Sequence, residues 1–334
     1  MKFSLRLNNN LPVDQYVALA QAAETAGFDQ FWVSNDLFLR SAPVILTAVA
    51  LVTQRIEIGT CILNPYTINP AEITMLSATL DEMSNGRFNL GLSSGAGEFL
   101  KWVGIAPEKP VTAVYETVRA VNRLLIGKRI TPTRDDFLNW TDEAYLRFPA
   151  LRRVPIYIGG LSPNMLRLIG RVGDGGLPLL LPPEHYETVI TYIREGLKQA
   201  GRDESWIDIA ACVWCSISDD RAAAEDALRE KIAYYGHALS PLIWDRLGLT
   251  RTDFDPVEQA VVVENDVEKA KSLVTDAMLQ IGIVGTAQDL ITRLEKLVAL
   301  GVKHISLGPP LGPDPLAAVQ VIGREVLPHF RRPL

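Results

Sequence analysis

The sequence predicts one α/β domain, a single (β/α)8 barrel with insertions, and two observations support this. The chain has 334 residues, which suits one such barrel of roughly 250 residues plus insertions. An amphipathic helix, a glycine and a short apolar strand follow one another at 22–33 and again at 297–307. The same unit near both ends of the sequence indicates one repeated βα architecture rather than two unlike domains.

Eight strand–helix units can be counted along the chain. The strands are predicted near 3–7, 29–33, 56–62, 87–92, 154–159, 175–180, 207–216 and 303–308. The helices are predicted at 12–26, 42–53, 71–84, 112–126, 163–171, 184–200, 220–234, 286–300 and 314–327. Two segments exceed a single unit: 128–153 is predicted to be a surface β-hairpin, and 236–284 a helical insertion after strand seven.

Composition and charge limit the function. The chain is 48% hydrophobic and 22% charged, enough for a full core. A net charge of −6 argues against nucleic acid as the main partner, since phosphate-binding surfaces need a basic excess. No signal-peptide pattern and no stretch of about 20 apolar residues is present, so no membrane partner is expected. Three cysteines fit a reducing, cytoplasmic location. The expected partner is a small-molecule substrate.

The stretch 55–70 has the pattern of a strand that ends in an irregular knuckle. Ile56, Ile58 and Thr60 alternate with less apolar residues, and then the unbroken apolar run 61–63 interrupts the alternation. Turn residues follow at 64–67, and a proline at 70 is placed to begin a helix. The pattern predicts a βα unit with an irregular shelf at its top, which we expect to support a flat ring cofactor.

The end of strand five is the best phosphate-binding candidate. Gly159, Gly160 and Leu161 precede Ser162, a helix cap, and Pro163, a first helical residue. The glycines let backbone approach an anion, and a helix N-terminus offers N–H groups and partial positive charge. A tight barrel turn without ligand is the alternative.

Other strand ends supply further candidates. Ser94, Gly95 and Ala96 leave backbone N–H groups for ring carbonyls, or they simply begin a loop. Asp36 follows strand two and is expected either to contact the cofactor or to cap a helix.

Two charged side chains can likewise have either a functional or a purely structural role. Glu98 is an acid–base candidate, although loop glutamates are mostly solvated. Arg6 alternates into the barrel mouth, where it needs a carboxylate or an anionic ligand.

Histidines and cysteines carry little of the predicted chemistry. The four histidines fall away from the strand ends, which argues against a histidine metal site. Cys212 and Cys215 lie three apart on a strand and therefore point to opposite faces, which favours core packing over a shared metal.

Several motifs, in order along nearly the whole chain, resemble one family. They are Asn-Pro-Tyr-Thr at 64–67 with Pro70, the segment 78–87, the run 91–97, Glu-Lys-Pro at 108–110, 155–160, Gly-Asp-Gly at 173–175 and 307–314. The chain resembles the bacterial luciferase-like superfamily of TIM-barrel flavin and deazaflavin oxidoreductases, in its 5,10-methylenetetrahydromethanopterin reductase-like branch, which uses coenzyme F-420 (hereafter F420).

The resemblance implies a role for several residues. A bulge with a non-prolyl cis peptide, here Cys61–Ile62, would support the back of the cofactor ring. Asp36 and the backbone of 94–96 would meet the ring edge, and Asn64 would also contact the cofactor. The cofactor phosphate would bind at 159–161. Tyr66 and Arg6 are the expected substrate contacts.

The sequence also departs from that family's pattern. Leu37 replaces a histidine that many F420-dependent dehydrogenases have, and Arg6 stands where the pterin reductase has a glutamate, whereas Glu98 is kept in kind. An arginine there favours an anionic substrate or the acidic tail of the cofactor. We therefore expect F420-dependent hydride transfer to a small organic substrate, with Glu98 and Asp36 as candidate catalytic residues. The alternatives are an FMN-dependent monooxygenase and a non-catalytic flavin-binding barrel. The family likeness also suggests a homodimer formed through helices two and three.

Overall fold

The computed structural model describes residues 1–130 and 137–331, and these residues form a closed parallel barrel. Its strands are β1 (Lys2–Leu7), β2 (Gln30–Val33), β3 (Glu57–Thr60), β4 (Phe88–Leu92), β5 (Ile156–Gly160), β6 (Gly175–Pro178), β7 (Asp208–Ile217), β8 (Ile283–Gly285) and β9 (His304–Leu311). Strands β1 to β7 and β9 make the barrel, which closes because β6 pairs with β7 and β9 pairs with β1. All eight overlap the predicted strands, so the prediction of a (β/α)8 barrel is confirmed.

The helices surround the barrel. They are α1 (Val13–Ala26), α2 (Ala42–Val52), α3 (Pro70–Met83), α4 (Gly97–Trp102), α5 (Pro110–Leu125), α6 (Pro163–Val172), α7 (Tyr186–Gln199), α8 (Arg221–Tyr235), α9 (Pro241–Arg246), α10 (Asp255–Glu258), α11 (Val267–Leu273), α12 (Asp276–Leu279), α13 (Ala287–Ala299), α14 (Pro315–Val321) and α15 (Leu327–Arg331). A π-helical turn, Ile322–Val326, joins the last two. No helix in the described part of the chain is long and apolar enough to cross a membrane.

The glycine at the end of the first helix has the conformation that its sequence position predicts. Gly27 has φ 90° and follows α1 as a left-handed cap, and its N–H donates to the carbonyls of Ala23 and Glu24. Only glycine adopts this conformation at little cost, and the cap turns the chain back toward β2. The recurring glycine of the βα unit therefore sets the direction in which the next strand enters the barrel.

The prediction of a β-hairpin at 128–153 is wrong for the residues that the structure describes. Those residues contain no strand, and 131–136 lie outside the described part. The alternation that favoured a hairpin does not bury one face, because Tyr145, Phe148 and Leu151 are 49%, 37% and 59% exposed. Without a second layer to cover it, an alternating segment gains little from pairing as a strand.

Two short elements were not predicted. Helix α4 follows the loop at 93–96, and β8 pairs with the end of β7 outside the barrel closure. The region 236–284 contains α9 to α12 together with short 3-10 and π-helical turns. Its apolar side chains join Trp214 and Leu228 in a second hydrophobic cluster beside the main core.

A polar network fills the N-terminal end of the barrel. His304 lies 3.0 Å from Asp208 Oδ1 through Nδ1 and 3.0 Å from Ser4 Oγ through Nε2. Lys2 Nζ and the Tyr157 hydroxyl each donate to Asp208 Oδ2 at 2.9 Å. The network continues through Gln30, Glu57, Asn89 and Trp32. The side chains of this network fill the N-terminal end of the barrel. Open space is found at the other end, where the strands have their C-terminal residues.

Candidate active site

A cavity of about 380 Å³ opens at the C-terminal ends of strands β1 to β6, where enzymes of this fold have their active sites. The lining residues come mostly from strand ends and the loops that follow them. They are Arg6, Asn35, Asp36, Leu37, Cys61, Ile62, Asn64, Ser93, Ser94, Gly95, Ala96, Phe99, Leu100, Gly159, Gly160, Leu161, Ser162, Met165, Leu177 and Leu179. This size falls in the range of pockets that enclose a small organic cofactor.

The shelf after β3 forms part of the cavity wall. Cys61 and Ile62 are joined by a non-prolyl cis peptide, as the resemblance implied, and both side chains line the cavity. Cys61 packs with Trp32, Tyr157 and Leu177 in an apolar layer below the cavity. Burial raises the pKa of the Cys61 thiol to about 12, with the nearby Arg6 charge acting in the opposite direction. The thiol is therefore neutral at physiological pH, and the shelf is an apolar surface.

Asn64 fixes the loop that follows the shelf. Its Oδ1 accepts hydrogen bonds from the N–H groups of Tyr66 and Thr67, at 3.1 and 3.0 Å. Gly95 packs against the same side chain, so that a Cβ atom added to Gly95 would lie 3.1 Å from Asn64 Nδ2. Gly95 also has φ 77°, which glycine adopts freely. The Ser94–Ala96 wall is thus held against the Asn64 loop, on one side of the cavity.

The end of β5 has the local structure that its sequence predicts. Ser162 caps α6 by accepting a hydrogen bond from the N–H of Met165 at 3.4 Å, and Pro163 is the first residue of α6. Gly159 faces the shelf, and a Cβ atom there would lie 3.1 Å from Ile62 Cγ2. The two glycines, Leu161 and the N-terminus of a ten-residue helix therefore meet at the cavity. This arrangement can accept an anionic group, since the first N–H groups of a helix lack intrahelical partners.

Asp36 lies in the cavity wall, and its backbone is held by Asn9, in the loop that follows β1. The N–H of Asp36 donates to Asn9 Oδ1 at 3.2 Å, and Asn9 Nδ2 donates to the Asp36 carbonyl at 3.0 Å. The neighbouring Leu37 also lines the cavity, at the position where the family pattern has a histidine. No base other than the Asp36 carboxylate is therefore offered by this loop.

Arg6 projects from β1 into the cavity, as its alternation predicted. Its Nη1 atom is buried and has no hydrogen-bond partner. Burial acts to lower the pKa of Arg6, but the neighbouring Cys61 and Cys212 and the charge of Asp36 raise it above its usual value. A guanidinium stays protonated in proteins, so the cavity contains a permanent positive charge.

The predictions for Glu98 and Tyr66 placed them at the site, but neither side chain lines the cavity. Glu98 is the second residue of α4, its side chain is 44% exposed, and its Oε2 atom lies 3.8 Å from Nε2 of the buried His237. The Tyr66 hydroxyl donates to the Glu108 carbonyl at 2.6 Å, and its ring packs on Phe137. Both residues are at the rim, so a contact with substrate requires a ligand that extends beyond the cavity.

Lys231 was missed by the sequence reasoning. It lies on α8, is 8% exposed, and its Nζ atom lies 3.4 Å from the centre of the Tyr235 ring and 3.2 Å from Asn8 Oδ1. Burial lowers the pKa of Lys231 to about 7, and the charge of Asp36 acts in the opposite direction. A signal was present, because a helix places Leu228, Lys231 and Tyr235 on one face at i, i+3 and i+7.

The cysteines lie in the protein interior. All three cysteines, Cys61, Cys212 and Cys215, are free and buried. Within the described ranges no group of three or more His, Cys, Asp or Glu side chains is arranged to hold a metal ion. The site offers small residues, backbone and isolated charges, which is typical of a protein that binds an organic cofactor to carry the chemistry.

The comparison with known families decides to which family the chain belongs. Residues 2–304 match the model of the luciferase-like monooxygenases. The chain belongs to this luciferase-like family. The family resemblance in the sequence motifs is thereby confirmed, and the protein is a luciferase-like oxidoreductase that depends on F420 or a flavin.

Curated relatives narrow the likeness within the luciferase-like family. The chain is 32% identical to the 5,10-methylenetetrahydromethanopterin reductase of Methanolobus tindarius, over 98% of this chain and 100% of the relative. It is 31% identical to the protein of the same name from Archaeoglobus fulgidus, over 99% and 100%. The F420-dependent glucose-6-phosphate dehydrogenase of Microbacterium testaceum is 30% identical, over 93% of this chain and 91% of the relative.

Solved structures of luciferase-like proteins agree with these relatives. The coenzyme F420-dependent tetrahydromethanopterin reductase of Methanopyrus kandleri superposes with a TM-score of 0.92 at 27% identity, over 99% of both chains. An F420-dependent secondary alcohol dehydrogenase, solved with an F420–acetone adduct, superposes with a TM-score of 0.81 at 25% identity, also over 99% of both chains. The fold is therefore that of F420-dependent luciferase-like enzymes.

Proposed function

We propose that this protein is an F420-dependent oxidoreductase that transfers a hydride between the deazaflavin and a small organic substrate. The observation that carries the proposal is the cavity itself, in which the apolar Cys61–Ile62 shelf faces the glycine turn at 159–160. A flat ring needs an apolar surface, and a phosphate needs close backbone N–H groups. Both features lie in one pocket, and the relatives named for F420 share the whole fold.

The residues that would hold the cofactor fit such a group. Cys61 and Ile62 would support the ring, with Asn64, the Ser94–Ala96 backbone and Asp36 around its edge. Gly159, Gly160 and Leu161 would receive the phosphate at the start of α6. A Cβ atom at Gly159 would lie 3.1 Å from Ile62 Cγ2, so a side chain at this position would enter the narrow space between the turn and the shelf.

The bound deazaflavin would supply a carbon centre that accepts or donates hydride, and the protein would orient it and manage protons. Neutral Cys61 and apolar Ile62 would exclude water from one ring face. Asp36 lines the cavity, and Glu98 lies at the rim, with its Oε2 atom 3.8 Å from Nε2 of His237. We propose that Glu98, or a water molecule that it holds, is the proton partner of the substrate.

A second candidate is an FMN-dependent monooxygenase, which the family name itself favours. The same barrel could hold either ring system, and the difference lies in which cofactor binds. A barrel that binds the cofactor without turnover is the third candidate, because Arg6 and Leu37 stand in place of a glutamate and a histidine that the family pattern implies.

We also propose a cytoplasmic homodimer that packs through α2 and α3. Four apolar side chains on these helices are well exposed: Val44 (62%), Leu51 (66%), Met75 (53%) and Met83 (39%). A surface of this kind is typical of an interface. Sedimentation of the purified protein would show a species of twice the monomer mass, whereas a monomer at all concentrations would contradict the dimer.

Cofactor choice can be tested by titrating apo-protein with F420 and with FMN, following quenching of tryptophan fluorescence. We expect tight binding of F420 and weak binding of FMN. Tight FMN binding without F420 binding would favour the monooxygenase. Reduced F420 that binds but is never oxidised across a broad panel of substrates would favour the non-catalytic barrel.

A further inference from the structure

Two cations, the half-buried Arg6 and the buried Lys231, share the barrel mouth near β1. Arg6 lines the cavity, and Lys231 approaches the same end of the barrel from α8, with Nζ 3.2 Å from Asn8 Oδ1. Arg6 belongs to β1, and Asn8 lies two residues further along the chain, just beyond the end of this strand. Burial lowers the pKa of Lys231, and the positive charge of Arg6 lowers it further.

Neither cation has a carboxylate within ion-pair distance among the described residues. Arg6 Nη1 is buried without a hydrogen-bond partner. Lys231 Nζ contacts an amide oxygen and two aromatic rings, at 3.4 Å from the centre of the Tyr235 ring and 5.0 Å from the centre of the Trp214 ring. Buried charges are normally paired, because an unpaired one loses its hydration without compensation.

One carboxylate lies near the two cations, but its single negative charge does not balance their two positive charges. Asp36 lines the cavity and raises the pKa of Lys231 against the effect of burial. Burial raises the pKa of Tyr235 beyond its usual range, and the Asp36 carboxylate raises it further, so Asp36 also faces this tyrosine. With both cations protonated, Arg6, Lys231 and Asp36 together have a charge of about +1. One monoanion would neutralise this group.

We propose that Arg6, backed by Lys231, binds a carboxylate group of the second substrate. This inference rests on the proposed function, since it names the class of compound that would receive or give the hydride: a small molecule that carries a carboxylate. Arg6 makes the direct contact, because its guanidinium matches a carboxylate with two parallel hydrogen bonds. Lys231 supplies the second positive charge from behind the cavity wall.

A carboxylate fits this charge better than a phosphate. A doubly charged phosphate would leave a net negative charge in a buried place, which is costly. The proposed phosphate site of the cofactor lies elsewhere, at Gly159 and Gly160 on β5. The two anionic groups would therefore bind at different strand ends of the same cavity.

The test uses 13C-labelled acetate as the probe, titrated into apo-protein at pH 6 and constant ionic strength, with NMR line broadening as the readout. The variants are Arg6→Gln and Lys231→Met. Lys198→Gln is the matched control, because this exposed lysine lies on the outer helix α7. We expect the acetate dissociation constant to rise about tenfold or more in both variants and to stay unchanged in the control.

Lys231→Met keeps the proposal testable if Arg6→Gln does not fold, since methionine retains the length and the apolar stem of the lysine. Equal acetate affinity in the wild type, Lys231→Met and Lys198→Gln would overturn the proposal. Binding of inorganic phosphate but not of acetate would also overturn it. A matching loss of affinity in both variants would support it.

The same titration separates this inference from the proposed function. Acetate broadening is measured first without cofactor and then with saturating F420. Acetate binding that persists with F420 bound supports a substrate subsite. Acetate that F420 displaces would overturn it and assign the cations to the cofactor's acidic tail. Failure of F420 to bind, with acetate binding intact, would instead remove the proposed function and leave the carboxylate site.

Discussion

A Cβ atom added to Gly160 would lie 2.5 Å from Cγ of Met165. Met165 is 5% exposed and belongs to the main core, so it has little room to move. The last residue of β5 is therefore in direct contact with the first turn of α6. This close approach brings the glycine backbone to the cavity, and it also means that any side chain at Gly160 disturbs the core.

The first prediction separates charge from volume at this turn. Gly160→Asp should abolish F420 binding, because a carboxylate would face the phosphate, whereas Gly160→Ala should weaken it much less. Both variants carry the clash with Met165 and should lose about 1–3 kcal/mol of stability. Fluorescence titration of both variants with F420 measures the difference.

Chemical denaturation of the two glycine variants is the control, since it shows whether enough folded protein remains for the titration. Equal F420 affinity in Gly160→Asp and Gly160→Ala would mean that the phosphate does not bind at this turn.

The second prediction concerns Glu98 and its neighbour His237. Glu98→Gln should lower the rate of reduced F420 oxidation by about 10²–10⁴, the usual contribution of a general acid, and leave F420 affinity unchanged. His237→Gln should reduce the rate less, because His237 lies 3.8 Å from Glu98 and can only position it. Stopped-flow kinetics with a substrate found by the panel would measure both. An unaltered rate in Glu98→Gln would remove this residue from the mechanism.

The third prediction compares the two ends of one ion pair at the closed end of the barrel. Contacts with His304 and Lys2 lower the pKa of Asp208, although burial alone would raise it. Asp208→Asn should cost roughly 2–3 kcal/mol, because it leaves the buried His304 without its partner. Lys2→Gln should cost at most about 1 kcal/mol, since the Lys2 side chain is 51% exposed. Urea denaturation measures both, and equal losses would contradict a buried network centred on Asp208.

The fourth prediction is a pH dependence of stability caused by His185. This histidine is 1% exposed, its Nδ1 atom has no hydrogen-bond partner, and burial, followed by the charge of Arg246, lowers its pKa to about 4. Between pH 6.5 and 4 the unfolded chain binds a proton here and the folded chain does not. The free energy of unfolding should therefore fall by about 1.4 kcal/mol per pH unit as the pH drops through this range.

The His185→Gln variant isolates this effect, because it lacks the titrating group. The difference in unfolding free energy between wild type and His185→Gln should change with that slope between pH 6.5 and 4, and should be constant above pH 7. Parallel curves across the whole range would show that His185 titrates equally in the folded and unfolded states.

The barrel could be predicted because its signals are local. Strand alternation and the glycine after each helix, such as Gly27, place the strands without knowledge of their partners. The hairpin prediction failed because an alternating pattern shows a strand only when one face is buried. In this segment Leu151 stays 59% exposed, and exposure depends on the distant elements that surround it.

The sequence could predict only those parts of the site that the backbone forms. The glycine turn at 159–160 and the shelf at 61–62 both leave marks in the sequence, namely glycines before a helix cap and a broken alternation. Lys231 was missed because it lies on α8 and reaches the barrel mouth only in the folded protein. There it contacts Asn8, which is 223 positions away along the chain. The spacing of Lys231 on α8 could have indicated that this side chain is buried, but no local pattern indicates which distant residues it contacts.

The central claim is that F420 lies in this cavity, with its ring against the Cys61–Ile62 shelf and its phosphate at Gly159 and Gly160. A crystal structure of the protein soaked with F420 tests it most directly. The account predicts electron density for the tricyclic ring on the shelf and for the phosphate at the start of α6. Density for the ring or the phosphate elsewhere, or a cavity that excludes the cofactor at saturating concentration, would contradict it.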